Sequence, residues 1–258
     1  MTVALSQGEI RVIGLGPGDH KFMTHDADAA LADATDVIGY IPYVERVPHR
    51  EGLTRHATDN RVEIDRARHA LDLAHQGKIV AIVSGGDPGV FAMAAALFEA
   101  LELGGEKDRA IPVSIHPGIS AMHAAAARLG APLGHDFCAI SLSDNLKSWD
   151  IIAKRLKAAA DGDFVIAFYN PASKARPQRI HDAFSLLREV KAGSTPVAFA
   201  RAMGREDEHI TLTTLADADL SRIDMATLVM IGSSETRFIP RPDGRQWLYT
   251  PRSYGARP

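Results

Sequence analysis

The chain has 258 residues, 46% of them hydrophobic and 24% charged, with a net charge of −3 and one cysteine, Cys138. That balance suits a globular protein with one or two cores. It excludes an internal disulfide, a zinc ribbon or a cysteine-ligated iron–sulfur cluster within one chain, and it gives no global basic field for nucleic acid.

No apolar run approaches the roughly 20 residues that a membrane span needs. The opening "MTVALSQGEIRVIG" lacks the basic-then-apolar build of a secretory signal, so a cytoplasmic protein with no membrane partner is expected. The eleven histidines form no H-E-x-x-H and no carboxylate-matched pair at ligand spacing, so no metal is expected.

In chain order, "IRVIGL" (10–15), "DVIGY" (36–40), "KIVAIVS" (78–84) and "IPVSIH" (111–116) are β-branched runs that predict strands. The stretches 24–34, 61–76 and 89–103 between them carry helical patterning. This alternation is that of an α/β protein with a mainly parallel sheet. A second cycle predicts helix 119–129, strand 137–143, helix 148–160, strand 163–170, helix 177–191 and strand 195–201, then strands near 209–215 and 226–232. The last strands crowd together without helices between them, which predicts a mixed sheet. The expected partition is two α/β domains, 1–117 and 118–258, with a ligand cleft between them. From Arg237 onward the chain carries Arg237, Arg241, Arg245, Arg252 and Arg257 against Asp243 alone. That stretch reads as a loosely ordered, solvated tail or as an arm for an anionic ligand or a neighbouring subunit, and the sequence leaves both open.

Five stretches at predicted strand ends carry the chemistry. "VIGLGPGDHKFMT" (12–24) is superficially a dinucleotide fingerprint, but Asp19 replaces the third glycine and Pro17 constrains Gly16, so a Rossmann NAD site is not expected. In "IVSGGDPGVFAMAAA" (82–96), Asp87 suits a helix N-cap and Pro88 a first helical turn, while Gly85 and Gly86 leave main chain bare where α/β sheets bind ligands. The P-loop Lys-Ser/Thr is absent. "HPGIS" (116–120) makes a turn, with Ser120 placed to cap the next helix and Gly130 to end it. "GISAM" misses the nucleophile elbow by its last residue, so hydrolase chemistry loses on spacing. "FYNPASKARPQRI" (168–180) and "ARAMGREDEHITLTTL" (200–215) complete what looks like one composite site.

These motifs, in this order, resemble the tetrapyrrole C-methyltransferase family. The match is G-x-G-P-G with a following threonine (Gly14, Gly16, Pro17, Gly18, Thr24), G-D-P (Gly86, Asp87, Pro88), P-G-x-S (Pro117 to Ser120), and Arg201-Ala202 followed by Thr214-Leu215, over residues 10 to 233. "GAPLGHDFCAISLSD" (130–144) and "FYNPASKARPQ" (168–178) are similar to the ring-contracting members that act on precorrin-3B. The resemblance implies the tetrapyrrole methylase fold, a homodimer, and S-adenosylmethionine as cosubstrate, converted to S-adenosylhomocysteine, with no iron–sulfur cluster in a chain with one cysteine. It implies cosubstrate contacts at Pro17, Gly85, Gly86, Asp87, Val90, Ser120, Ala121, Tyr169, Ala202, Ala226 and Thr227. The reaction implied is methylation at C17 with ring contraction to precorrin-4 in cobalamin synthesis. Another precorrin as substrate, or a non-catalytic tetrapyrrole carrier, are the alternatives. Ring contraction calls for an acid or base, for which His135, Asp136 and Asp144 are the candidates. A polycarboxylate substrate calls for local cations, for which Lys174, Arg176 and Arg179 are expected, with Asn170 beside them.

Overall fold

The computed structural model describes residues 8–59, 62–173 and 176–255. The chain divides into two compact units, Met1–Ala121 and Met122–Pro258.

The first unit is built on five strands, β1 (Glu9–Gly14), β2 (Asp36–Tyr40), β3 (Thr54–Thr58), β4 (Ile79–Ser84) and β5 (Val113–His116), in the order β3-β2-β4-β1-β5. Every pairing in it is parallel, so all strand carboxyl ends share one edge. Strands β1, β2 and β4 lie inside the sheet, with helices over both faces, which is why they read as unbroken apolar runs. On one face Ile10, Val12, Ile38, Val80 and Ile82 pack against α3 (Glu63–His75) and α4 (Met93–Leu103). The alternate residues Ile13, Val37, Ala81 and Val83 meet α1 (His25–Ala32) and α2 (Ile41–Val44) on the other, as the two-residue strand period demands. Thr24 caps α1, its Oγ1 accepting from Ala27 N at 3.1 Å. The short α5 (Glu106–Arg109) leads into β5.

In the second unit, α6 (Ala121–Leu129) ends where Gly130 takes φ +121°. Strands β7 (Phe137–Ser141), β8 (Val165–Tyr169), β9 (Pro196–Arg201), β10 (His209–Thr214) and β11 (Thr227–Ile231) form a sheet in the order β10-β9-β11-β8-β7. β7 and β8 run parallel, while β11 is antiparallel to both neighbours and β10 to β9, so the expected mixed sheet is present. α7 (Trp149–Asp161) and α8 (Arg179–Val190) bury Ile152, Leu156, Phe184 and Leu187 against Ile140, Phe168, Val197 and Val229. Each such fully buried large side chain contributes about 1.5–3 kcal/mol relative to exposure. Among the described residues no helix is long and apolar enough to cross a membrane.

Three local expectations need correction. β3, of sequence TRHAT, has no counterpart in the predicted elements: as a half-exposed edge strand it needs no apolar run. The helix expected over 89–103 begins at Met93, so Asp87 and Pro88 precede it by a loop and Asp87 is not its cap. The arginine-rich stretch is not a loose tail through residue 250. β12 (Arg237–Pro240) and β13 (Gln246–Tyr249) form an antiparallel hairpin, and β13 pairs with β6 (Gly130–Ala131). Arg241 stacks 3.9 Å from the Trp247 ring centroid and pairs with Asp243, and Thr250 Oγ1 donates to Pro132 O at 2.7 Å. Arg257 lies outside the described residues.

Candidate active site

At the carboxyl edge of the first sheet, the loops after β1 and β4 are joined backbone to backbone, and side chains tie the β5 loop to them. Gly16 N donates to Gly86 O at 3.2 Å and Gly86 N to Gly16 O at 2.8 Å. Asp87 receives Gly89 N on one oxygen at 2.9 Å and Gly118 N on the other at 3.1 Å, so its carboxylate ties the β4 loop to the β5 loop. Thr24 Oγ1 adds a bond to Pro117 O at 3.0 Å. A Cβ on Gly118 would lie 2.3 Å from Gly86 O and 2.8 Å from Gly14 O, so the three loops meet closer than any side chain permits.

The two adjacent glycines have different reasons to be bare. A Cβ on Gly85 would lie 2.6 Å from the Tyr43 ring, so that position is filled by the protein itself. Gly86 holds φ +72°, and the atoms nearest its Cβ position are Ser120 Cα, Ala121 N and Ile119 O, at 3.6–3.8 Å. The bare side of Gly86 therefore packs at ordinary contact distance beside the backbone at Ser120 and Ala121. Beneath the first loop, the half-buried Arg46 donates to Leu15 O at 2.5 Å, Gly16 O at 3.0 Å and Gly18 O at 2.6 Å, which carries the backbone around Pro17. Val90 lies between Asp87 and the start of α4, its N donating to Asp87 O at 3.3 Å.

In the second unit the carboxyl ends of β7, β8 and β9 and the amino end of β11 also share an edge. It brings together Tyr169, Asn170, Ala202, Ala226 and Thr227. Tyr169 Oη accepts from Met122 N at 3.1 Å. Asn170 (φ +51°) and Ala202 (φ +52°) occupy the left-handed region, a cost of about 1–3 kcal/mol each that clusters at functional loops. Asn170 Nδ2 donates to Ser141 Oγ at 3.0 Å. Asp224 fastens the β11 end: Oδ1 accepts from Ala226 N at 3.0 Å and Thr227 Oγ1 at 2.8 Å, and Oδ2 from Arg201 Nε at 3.0 Å. Ala202 N then donates to Ala226 O at 2.9 Å.

Asp144, just beyond β7, accepts from Arg179 Nε at 2.7 Å and lies 3.6 Å from Arg176 Nη1. Burial raises its carboxyl, but the hydrogen bond and the charges of Arg179 and Arg176 outweigh that and hold it below the ordinary range. Arg179 also donates to Asp182 at 2.9 Å and lies 5.1 Å from the Trp149 ring centroid, so its guanidinium is taken up by two carboxylates and a ring face. Lys174 lies outside the described residues. His135 and Asp136 are not brought to this edge: they precede β7 at its opposite end. There His135 Nδ1 accepts from Asp136 N at 2.8 Å and its ring meets Tyr254 edge-on at 4.9 Å.

Sequence reasoning missed Arg46 and Asp224. Arg46 carries no local signal, because its partners lie 28 to 31 positions away. Asp224 was findable from its spacing to Ala226 and Thr227, which suits an aspartate-headed turn.

Two α/β units, the first with these glycine-lined strand ends, define a class: the chain belongs to the tetrapyrrole (corrin/porphyrin) methylases, whose family model matches residues 9–219. Precorrin-3B C(17)-methyltransferase from Sinorhizobium sp is 53% identical over 247 residues, 96% of this chain and 97% of that one. The crystal structure of the methyltransferase CobJ superposes with a TM-score of 0.90 at 53% identity, covering 95% of this chain and all of that one (100%). The structure of a uroporphyrin-III C-methyl transferase from Thermus thermophilus complexed with S-adenyl homocysteine shares the fold, with a TM-score of 0.64 at 20% identity over 87% of this chain and 97% of that one. The family and the fold expected from the motifs are both borne out.

Proposed function

We propose that this chain is an S-adenosylmethionine-dependent methyltransferase that methylates precorrin-3B at C17, with ring contraction to precorrin-4, in cobalamin biosynthesis. The supporting observation is 53% identity to a precorrin-3B C(17)-methyltransferase over 96% of the chain, in a molecule whose motif loops stand at strand ends as the family resemblance implies.

The residues present fit the donor. Gly86 presents main chain with no side chain, beside the backbone of Ser120 and Ala121. Gly85 to Val90, Ser120 and Ala121 include no cationic side chain, and the one carboxylate, Asp87, is engaged by backbone N–H groups. Such a lining tolerates a ligand carrying its own sulfonium charge. We assign donor binding to Pro17, Gly85, Gly86, Asp87, Val90, Ser120 and Ala121 in the first unit and to Tyr169, Ala202, Ala226 and Thr227 in the second. Of these, Gly85 acts only through its backbone, since Tyr43 fills its side-chain position.

When bound, the donor would supply an electrophilic methyl group: a nucleophilic ring carbon forms its bond to that methyl in line as the methyl–sulfur bond breaks and S-adenosylhomocysteine leaves. The protein's contribution is alignment and exclusion of water. The Gly16–Gly86 bridge, Asp87 and Asp224 hold these loops in place, which limits the ordering that binding must impose. For the substrate's carboxylates, Arg176 is the better placed guanidinium, its contact with Asp144 being the longer one at 3.6 Å. Asp144, lowered by its arginine partners, is placed to accept a proton but not to donate one at neutral pH. His135 and Asp136 would have to act from the far end of β7. The resemblance also carries a cytoplasmic homodimer, which light scattering tests by mass.

Incubating the purified protein with methyl-labelled S-adenosylmethionine and precorrin-3B should give precorrin-4 with label at C17. Label at another ring carbon sinks the substrate assignment. Calorimetry showing macrocycle binding but none for S-adenosylhomocysteine would favour a carrier.

A further inference from the structure

We infer that Arg46 is a positioning residue for the donor, acting through the backbone of Gly86. Resting on the donor reading above, it adds a residue outside every motif that carries the family resemblance.

Arg46 follows α2 and gathers three carbonyls of one loop, Leu15, Gly16 and Gly18, onto a single guanidinium at 2.5–3.0 Å. Three carbonyl dipoles aimed at one point repel each other unless a cation sits there, and the planar fork of arginine can serve several at once where an ammonium cannot. The loop so held passes its position on. Gly16 exchanges two hydrogen bonds with Gly86, and the next residue, Asp87, reaches Gly118 N at 3.1 Å. Arg46 is thus the outer tie of a frame that runs from residue 15 to residue 118. Gly86, with φ +72° and its bare side against the backbone of Ser120 and Ala121, is its innermost member. If the guanidinium is lost, Gly16 is free to move, and Gly86 moves with it.

The same unit contains a matched control. Arg50 also caps backbone carbonyls, donating to Leu31 O at 3.2 Å and to Ala34 O. Those carbonyls lie at the end of α1 and before β2, at the amino edge of the sheet, the edge opposite the loop that holds Gly86. Loss of either arginine strips loop carbonyls of a charged donor, but only Arg46 leads to the donor contact.

The test is calorimetric titration of S-adenosylhomocysteine into the full-length wild-type protein and into Arg46→Gln, Arg46→Lys and Arg50→Gln, with thermal melting of each. The expectation is an affinity loss of about tenfold or more for Arg46→Gln. Arg46→Lys, keeping the charge without the fork, should fall between Arg46→Gln and wild type, and Arg50→Gln should bind within about twofold of wild type while melting as low as Arg46→Gln. Undiminished affinity in Arg46→Gln overturns the inference. So does an equal loss in Arg50→Gln, which would mean that general loosening of the unit is what affinity reports. Should Arg46→Gln fail to fold, Arg46→Lys decides by the same comparison. A wild-type protein that does not bind S-adenosylhomocysteine removes the donor reading itself, and with it the role of Arg46.

Discussion

Substitution at Gly86 separates stability from donor binding in a way few positions allow. Its φ of +72° is left-handed, yet a Cβ built there meets nothing closer than 3.6 Å. Gly86→Ala therefore suffers conformational strain without a clash, about 1–2 kcal/mol. At about 2–4 °C per kcal/mol for a chain of this size, melting should fall by roughly 2–8 °C. Asparagine tolerates the left-handed region better than alanine, so Gly86→Asn should melt at or above Gly86→Ala. The longer asparagine side chain, however, starts at contact distance from the Ser120 and Ala121 backbone and covers more of the bare main chain assigned to the donor. Affinity should rank wild type, Ala, Asn, with at least about a tenfold loss for Ala, or roughly 1.4 kcal/mol. Stability and affinity then rank the two variants in opposite orders. Differential scanning fluorimetry and titration with S-adenosylhomocysteine measure both. Wild-type affinity in Gly86→Asn would refute the assignment of that main chain to the donor.

Gly118→Ala should be worse tolerated than Gly86→Ala by about 1–3 kcal/mol in urea unfolding, because its methyl meets two backbone oxygens, of Gly86 and Gly14, that cannot turn aside. Asp163→Ala should cost about 3 kcal/mol by the same assay, since it leaves the Lys191 ammonium, whose side chain is 5% exposed, without its carboxylate 3.1 Å away. Burial raises the Asp163 carboxyl, but hydrogen bonds from Ser234 and Lys191 lower it below the ordinary 3.8 on balance. Its stabilisation is therefore complete above about pH 4 and is lost as pH falls through the lowered value, so Asp163→Asn should flatten the acid limb of a stability–pH curve. Burial pushes the Cys138 thiol up to about 11, so at pH 8 only about one thiol in a thousand is thiolate. Iodoacetamide should label the folded protein far more slowly than the urea-unfolded chain, and equal rates would contradict the burial.

The central strands were legible because burial on both faces writes itself as a β-branched run: β1, β4, β8 and β11 fall within a residue or two of where the sequence places them. The glycine motifs were legible as strand-end loops for the same reason, since each follows directly on such a run. What the sequence hid was non-local. Asp87 looks like a helix cap because proline and glycine follow it, but its carboxylate is claimed by an amide 31 positions on. Arg176 and Arg179 look like free cations until the fold brings Asp144 between them. The hairpin of β12 and β13 was masked by prolines and by arginines whose charges are met by Glu235, Asp243 and the face of Trp247.

The pairing of β13 with β6 has a consequence for how the molecule is made. The first unit's contacts are complete once residue 121 has been synthesised. The bond from Thr250 to Pro132, by contrast, spans 118 positions. A ribosome must deliver nearly the whole second half before Gly130 and Ala131 acquire their neighbouring strand. A nascent chain stalled before residue 246 therefore presents that short edge unpaired, and the second unit closes late, when its last strand arrives.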